Sequence, residues 1–332
     1  MTAVPSIAYG CAAEPTAGWV DRVALLAWSL RNLGGTSADA PVHACFAGPT
    51  AGLDLTALRE LDVRVHEVPP FDARISYANK LRLLELDLGG ADALAMLDCD
   101  IVVVGDPAPL LTQHASRMAA KPADQDPLDV AGWARLCAAL EIPVPPRDAV
   151  ATCTGAPMPR YANSGVVVVP AGAVDAVRDR WRHWLYRVVD VLQADPLVVP
   201  RARRLFADQY ALMAVLAERS SAMLPVAANC PTHVGIHRSV DLGGEPALLH
   251  YHARMWPSTL LQRPVAPSVR PAAARFNSAR AAALGITDPG LREPPGTERL
   301  RGAARDVGTT VRATRSFTRV HARLRGGRRR IA

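Results

Sequence analysis

Two aspartates, Asp98 and Asp100, flank Cys99 between the apolar runs Ala93–Leu97 and Ile101–Val104, each of strand length. Carboxylates in such a setting are costly unless a cation or hydrogen bonds compensate them. Alternate residues of an extended segment point the same way, so the pair is placed to converge on one divalent ion. The triplet alone says little, since roughly one is expected by chance in a chain of this length. Its apolar flanks carry the argument.

Other residues with chemical potential are spread along the chain. His250-Tyr251-His252 closes a short apolar run, Ala247 to Tyr251. A lone histidine at a strand end is more often a structural hydrogen-bonder than a ligand. Asn163-Ser164-Gly165 precedes four valines, and its glycine permits close backbone approach. Asp208 and Gln209 open a helical stretch, where a carboxylate also complements the helix dipole. Arginine is abundant while Lys80 and Lys121 are the only lysines. A surviving lysine in that background suggests a place where a compact ammonium works and a forked guanidinium does not.

The elements that must position these residues alternate between strand and helix. Hydrophobic periodicity gives a strand at Ser6–Tyr9, a helix at Val20–Leu30, strands at Val42–Phe46 and Val63–Val68, and helices at Leu53–Leu61 and Tyr77–Leu86. After the triplet, a Pro-, Asp- and Gly-rich excursion runs from Pro122 to Pro159 with a short helix at Val130–Leu140. The core resumes at Asn163–Val169, followed by a long helix at Val174–Leu192 and another from about Arg203 to Glu218. This is an α/β pattern with a mostly parallel sheet, in which ligands bind beyond the carboxyl ends of the strands. The polar triplet lies there.

Composition bounds the function. The 332 residues are 49% hydrophobic, ample for a large core. Six cysteines scattered singly argue against a disulfide framework or a structural zinc site. With neither a signal-like N-terminus nor a stretch of membrane-spanning length, a cytoplasmic protein is expected. The net charge of +7 belongs to the tail: from Thr297 onward eleven arginines face only Glu298 and Asp306, so the remainder is slightly acidic.

Asn79-Lys80-Leu81-Arg82, then Leu97-Asp98-Cys99-Asp100-Ile101, Tyr161-Ala162-Asn163-Ser164-Gly165-Val166, Asp208-Gln209, and His250-Tyr251 with Trp256 follow one another in an order that resembles the family 8 glycosyltransferases, the group that includes glycogenin and the bacterial lipopolysaccharide galactosyltransferases. The resemblance spans about Ser6 to Trp256. It implies the GT-A nucleotide-diphospho-sugar transferase fold, a manganese (or magnesium) cofactor, and retaining transfer of a hexose from a UDP-sugar. It further implies metal ligation by Asp98, Asp100 and His250, with Asp100 the more direct ligand of the two acids and His252 the alternative imidazole. Lys80, Asn163, Ser164 and Gly165 would meet the donor, and Asp208 and Gln209 the hexose and reaction centre; Tyr9, at the end of the first strand, is either an aromatic face for the base or an ordinary core or rim tyrosine. The chain departs from the family where H-x-x-G and K-P-W are expected: Ala253 replaces the glycine, and Arg254 stands in for the lysine as a phosphate cation.

The expected organisation is a catalytic domain over 1–262, a Pro/Ala-rich linker and helix over 263–296, and a basic tail over 297–332. In that tail Val307, Val311, Thr314, Phe317, Val320 and Leu324 recur at helical spacing, which suits an anionic membrane surface at the inner face of the membrane. The acceptor, whether glycan, lipid-linked or protein, is not encoded in a readable motif. A sugar nucleotidyltransferase is the competing enzyme class, but no early Gly-rich loop with a basic residue is present. Nucleic-acid binding rests on the arginine tail alone, without an aromatic platform.

Overall fold

A computed structural model describes residues 4–72, 75–195, 198–199, 204, 206–232, 241–252, 255–256, 260–261, 265 and 267–285. In chain order the first half comprises β1 (Ile7–Ala13), α1 (Ala17–Leu33), β2 (Val42–Ala47), α2 (Thr56–Glu60), β3 (Val63–Val68), β4 (Ala93–Leu97), β5 (Ile101–Val103), α3 (Ala108–Leu111), β6 (Met118–Pro122) and α4 (Val130–Leu140). The second half comprises β7 (Ala149–Val150), β8 (Pro157–Met158), β9 (Ala162–Pro170), α5 (Val174–Ala194), α6 (Ala207–Ala217), β10 (Ser221–Met223), β11 (Cys230–Pro231), β12 (Leu248–His250), β13 (Met255–Trp256), β14 (Leu260–Leu261) and α7 (Arg270–Ala283). The helix expected at Tyr77–Leu86 is a 3-10 helix, Ser76–Glu85.

Seven strands form the central sheet in the order β10-β6-β9-β4-β1-β2-β3. β1 to β4 pair in parallel, and β9 runs antiparallel between β4 and β6. Both faces of β1, β2, β4 and β9 are buried, which explains their nearly unbroken apolar sequences. On β9, Val166 and Val168 join the core under α1, while Val167 and Val169 face the core built with α5 and α6. The stripe Val20, Val23, Leu26 and Leu30 turns α1 onto the first face. Val177, Trp181, Leu185 and Val188 turn α5 onto the second.

Two local features set up the site. The main sheet stops at Leu97, and the next strand, β5, leaves it to join a small sheet with β12 and β11. Its antiparallel register sets His250 opposite Ile101, bringing together residues far apart in sequence. A bulge between Ala120 and Lys121 shifts the register of β6 against β9, so that Lys121 lies beside Asn163. Bulges commonly re-aim side chains next to functional sites.

The excursion after β6 is anchored. Trp133 on α4 is fully buried and packs edge-on against Tyr161 and Tyr210, at 5.4 and 6.0 Å between ring centroids. Helix α7, in the segment read as a linker and helix, packs Ala272, Ala273 and Phe276 with Leu25, Val102 and Leu249 in a third apolar cluster. Among the described residues no helix is long and apolar enough to cross a membrane. The tail expectation lies outside the described residues, as does Arg254.

Candidate active site

The site forms where β4 ends, at the carboxyl edge of the parallel strands. Residues 98–100 form a turn rather than an extended segment, with the Ile101 amide donating to the Asp98 carbonyl at 3.2 Å. Alternation therefore does not govern the two aspartates, and their side chains take different partners. Asp98 accepts from the Lys80 ammonium at 2.8 Å. Asp100 meets His250, with Oδ1 3.0 Å from Nε2.

Around Asp100 lies a candidate cation site. Asp100, His250 and His252 each offer one ligand atom, all within 4.8 Å of one another. Sequence reasoning put Asp98 in this set and held His252 as an alternative to His250; the geometry gathers both imidazoles with Asp100 and leaves Asp98 with Lys80. The two rings lie 3.9 Å apart between centroids. His252 reaches its position through a left-handed backbone, φ 52°, which redirects the chain just after β12. Burial opposes the charge of Asp100, but His250 and then His252 more than offset it and hold the carboxyl below its ordinary range. Burial pulls the His250 imidazole down, and Asp100 outweighs it and raises it. One carboxylate and two imidazoles are a donor set that fits a divalent transition-metal ion.

A second cluster adjoins it. The Lys80 ammonium donates to Asp98, to the Ser164 hydroxyl at 3.0 Å and to the Ser164 carbonyl at 3.2 Å, and stands 3.6 Å from Asp208. Ser164 in turn donates to Asp208 Oδ2 at 2.6 Å. Burial lowers the Lys80 pKa, yet Asp98 and Asp208 prevail and hold it above the usual lysine value. Asp208 is 4% exposed, and burial raises its pKa despite Lys80 and the Ser164 hydroxyl. The start of α6 is fixed from α5 by Trp181, whose indole donates to the Asp208 carbonyl at 3.1 Å. Gln209 follows, half-buried.

Tyr9 does not fit its expected role. The first strand runs on to Ala13, so Tyr9 is mid-strand, 1% exposed, with its hydroxyl donating to Ser37 at 2.9 Å. Enclosed on all sides, its ring has no face for a base. Gly165 is close-packed: a Cβ there would lie 2.8 Å from His250 Cε1 and 2.8 Å from Asn163 Oδ1.

Three residues beside the site escaped sequence reasoning. Asn229, fully buried, has Oδ1 3.2 Å from His250 Nδ1. Asp124 has Oδ2 3.9 Å from His252 Nε2, while its Oδ1 accepts from Lys121 at 2.6 Å. Tyr77 is 54% exposed and lies three residues before Lys80 on the 3-10 helix, a spacing that eclipses the two side chains. None of the three carried a sequence signal, but the rarity of lysine did: both lysines are committed to aspartates at the site, with side chains 12% and 1% exposed.

No protein-family model and no curated protein sequence matches the chain. Solved structures do. The galactosyltransferase LgtC, in complex with donor and acceptor sugar analogs, superposes with a TM-score of 0.51 at 14% identity, over 88% of this chain and 99% of that one. An active-site mutant of LgtC gives 0.53, with the same identity and coverage. The fold is thus the GT-A glycosyltransferase fold that the order of motifs implied.

Proposed function

We propose that this protein is a glycosyltransferase that moves a hexose from a UDP-sugar to an acceptor hydroxyl, with a divalent cation held by Asp100, His250 and His252. The observation that carries this reading is the meeting of that triad with the Lys80, Asp98, Ser164 and Asp208 cluster at the carboxyl edge of β4, in a GT-A fold. A bound cation would offset the negative charge that grows on UDP as the glycosidic bond breaks. Two imidazoles make the set softer than an all-oxygen cage and favour manganese over magnesium.

The chain's own residues supply the rest. Lys80, charged at neutral pH, presents a fixed ammonium to the donor and is held in place by Asp98 and Ser164. Asp208 and Gln209, at the first turn of α6, face the hexose in this reading. Asn163, Ser164 and Gly165 line the donor side, and exposed Tyr77 offers an aromatic face to a sugar or base. In the reaction the acceptor oxygen bonds to the anomeric carbon, the bond from that carbon to the diphosphate oxygen breaks, the electron pair leaves with UDP, and the acceptor's hydroxyl proton passes to the departing diphosphate. Retention of anomeric configuration follows from the sequence resemblance.

The arginine-rich segment 297–332 would add electrostatic attachment to an anionic membrane surface. A screen of UDP-glucose, UDP-galactose and their N-acetylated relatives for manganese-dependent UDP release tests the proposal. Release of UDP from one donor supports it. Release of pyrophosphate, or inertness toward all of them with both metals, overturns it.

A further inference from the structure

A line of hydrogen bonds leads from the backbone of β9 to the back of His250, and its direction is fixed at one end. The Gly165 amide donates to Asn163 Oδ1 at 2.7 Å. A backbone N–H can only donate, so the atom it meets must be the amide oxygen and not the nitrogen. The next bond joins that oxygen to the Asn229 side chain at 3.1 Å, which requires Asn229 to present its NH2 group. The other end of the same amide, Oδ1, then faces His250 Nδ1 at 3.2 Å. An acceptor at that position requires Nδ1–H. Nε2 donates to Asp100 Oδ1 at 3.0 Å, and of the two ring nitrogens it is the one that can give up its proton to ligate a cation.

The two links nearest the site are shielded. Asn229 is 0% exposed and His250 4%, so neither amide nor ring can turn toward solvent for a substitute partner. Gly165 closes the line sterically, since its missing Cβ would lie 3.0 Å from His250 Nδ1. Pro231 pairs with His250 in the register of β11 and β12, placing Asn229 just before that short strand.

We propose that Asn229 is a positioning residue for the cation site: polarity set by the Gly165 amide passes through Asn163 and Asn229 and holds His250 with a proton on Nδ1, leaving Nε2, beside Asp100, as the ring nitrogen that takes the cation. This rests on the reading of Asp100, His250 and His252 as cation ligands. Partners of this kind fix the tautomer and orientation of a ligating ring, and losing them costs on the order of 10–100-fold in metal affinity.

The test is manganese affinity of the full-length protein without nucleotide, measured by electron paramagnetic resonance for the wild type, Asn229→Leu and Asn229→Asp. Leucine keeps the volume and removes the acceptor; aspartate keeps an acceptor for Nδ1–H but loses the donor to Asn163. Weakening by about 10-fold or more in Asn229→Leu, with Asn229→Asp within about 3-fold of wild type, supports the relay. Equal losses in both variants mean a packing role and overturn it, as does wild-type affinity in Asn229→Leu. Nitrogen-15 shifts of His250 in the zinc-loaded wild type give a readout that needs no variant: coordination through Nε2 with Nδ1–H agrees, and coordination through Nδ1 overturns the relay. A wild type that binds no manganese removes the underlying cation reading as well, whereas tight wild-type binding unaffected by Asn229→Leu removes the relay alone.

Discussion

Replacing Lys80 by methionine keeps the length of the stem and deletes the ammonium that joins Asp98, Ser164 and Asp208. Asp98 is 32% exposed at its side chain and can be rehydrated, but Asp208 is only 6% exposed and is left with its charge buried. Breaking a buried ion pair from one side typically costs about 3–5 kcal/mol. Protonation of Asp208 caps that loss. Neutralising a carboxyl of reference pKa 3.8 at pH 7 costs about 4 kcal/mol, and at pH 5 only about 1.6 kcal/mol, at about 1.36 kcal/mol per unit. The sign follows from linkage: the folded-state pKa of Asp208 is raised, so its contribution to stability is full below the unfolded value and is lost as pH rises through the folded one. Urea unfolding at pH 7 should therefore show Lys80→Met less stable than wild type by about 3–4 kcal/mol, and at pH 5 by less than about half that. Lys80→Met combined with Asp208→Asn should recover most of the loss at pH 7. A single variant as stable as wild type, a deficit equal at both pH values, or a double variant no better than the single one would each refute the reasoning.

Other consequences can be checked in the same protein. Gly165→Ala forces a methyl against two buried groups, His250 and Asn163, and should cost about 1–3 kcal/mol in urea unfolding together with weaker manganese binding; an unaltered midpoint and affinity would contradict the close packing. Burial, then the neighbouring His66 and Arg64, lower the His43 pKa to about 4, so this neutral ring contributes stability above the unfolded value of 6.5 that is lost as pH falls toward 4. Stability measured from pH 7 to pH 4 should thus fall more steeply in wild type than in His43→Asn, by at most about 3 kcal/mol; parallel curves would remove His43 as a source of acid sensitivity. Truncation after Gly296 should preserve soluble manganese-dependent UDP release and abolish binding to anionic vesicles at low salt. Full-length protein that ignores such vesicles would end the membrane proposal.

The sequence was most legible where an apolar run or stripe is sharply bounded by acidic residues or proline. Val63–Val68, Ala93–Leu97 and Val130–Leu140 have the bounds their hydrophobic pattern predicted. β1 was read too short because Gly10, Cys11, Ala12 and Ala13 are small and carry little hydrophobic signal. That error put Tyr9 at a strand end, where its ring was expected to face a base, whereas it is buried in mid-strand. The two aspartates that the sequence singled out both lie at the candidate site, but their expected convergence depended on an extended backbone that the turn at 98–100 replaces. Asn229 was invisible for a different reason. It sits among small apolar residues in a short irregular stretch, and its importance lies in polarity passed from a glycine amide more than sixty positions away. Nothing in local composition encodes such a contact.

The central claim, that Asp100 with two imidazoles holds a cation against a nucleotide diphosphate, is tested most directly by calorimetric titration of UDP into the wild type and Asp100→Asn, each with manganese and with chelator. The account predicts tight binding only for the wild type with manganese, and weak binding, lower by at least about 10-fold, in the other three conditions. Equal UDP affinity with manganese and with chelator, or an Asp100→Asn variant that keeps the manganese dependence of the wild type, would contradict it.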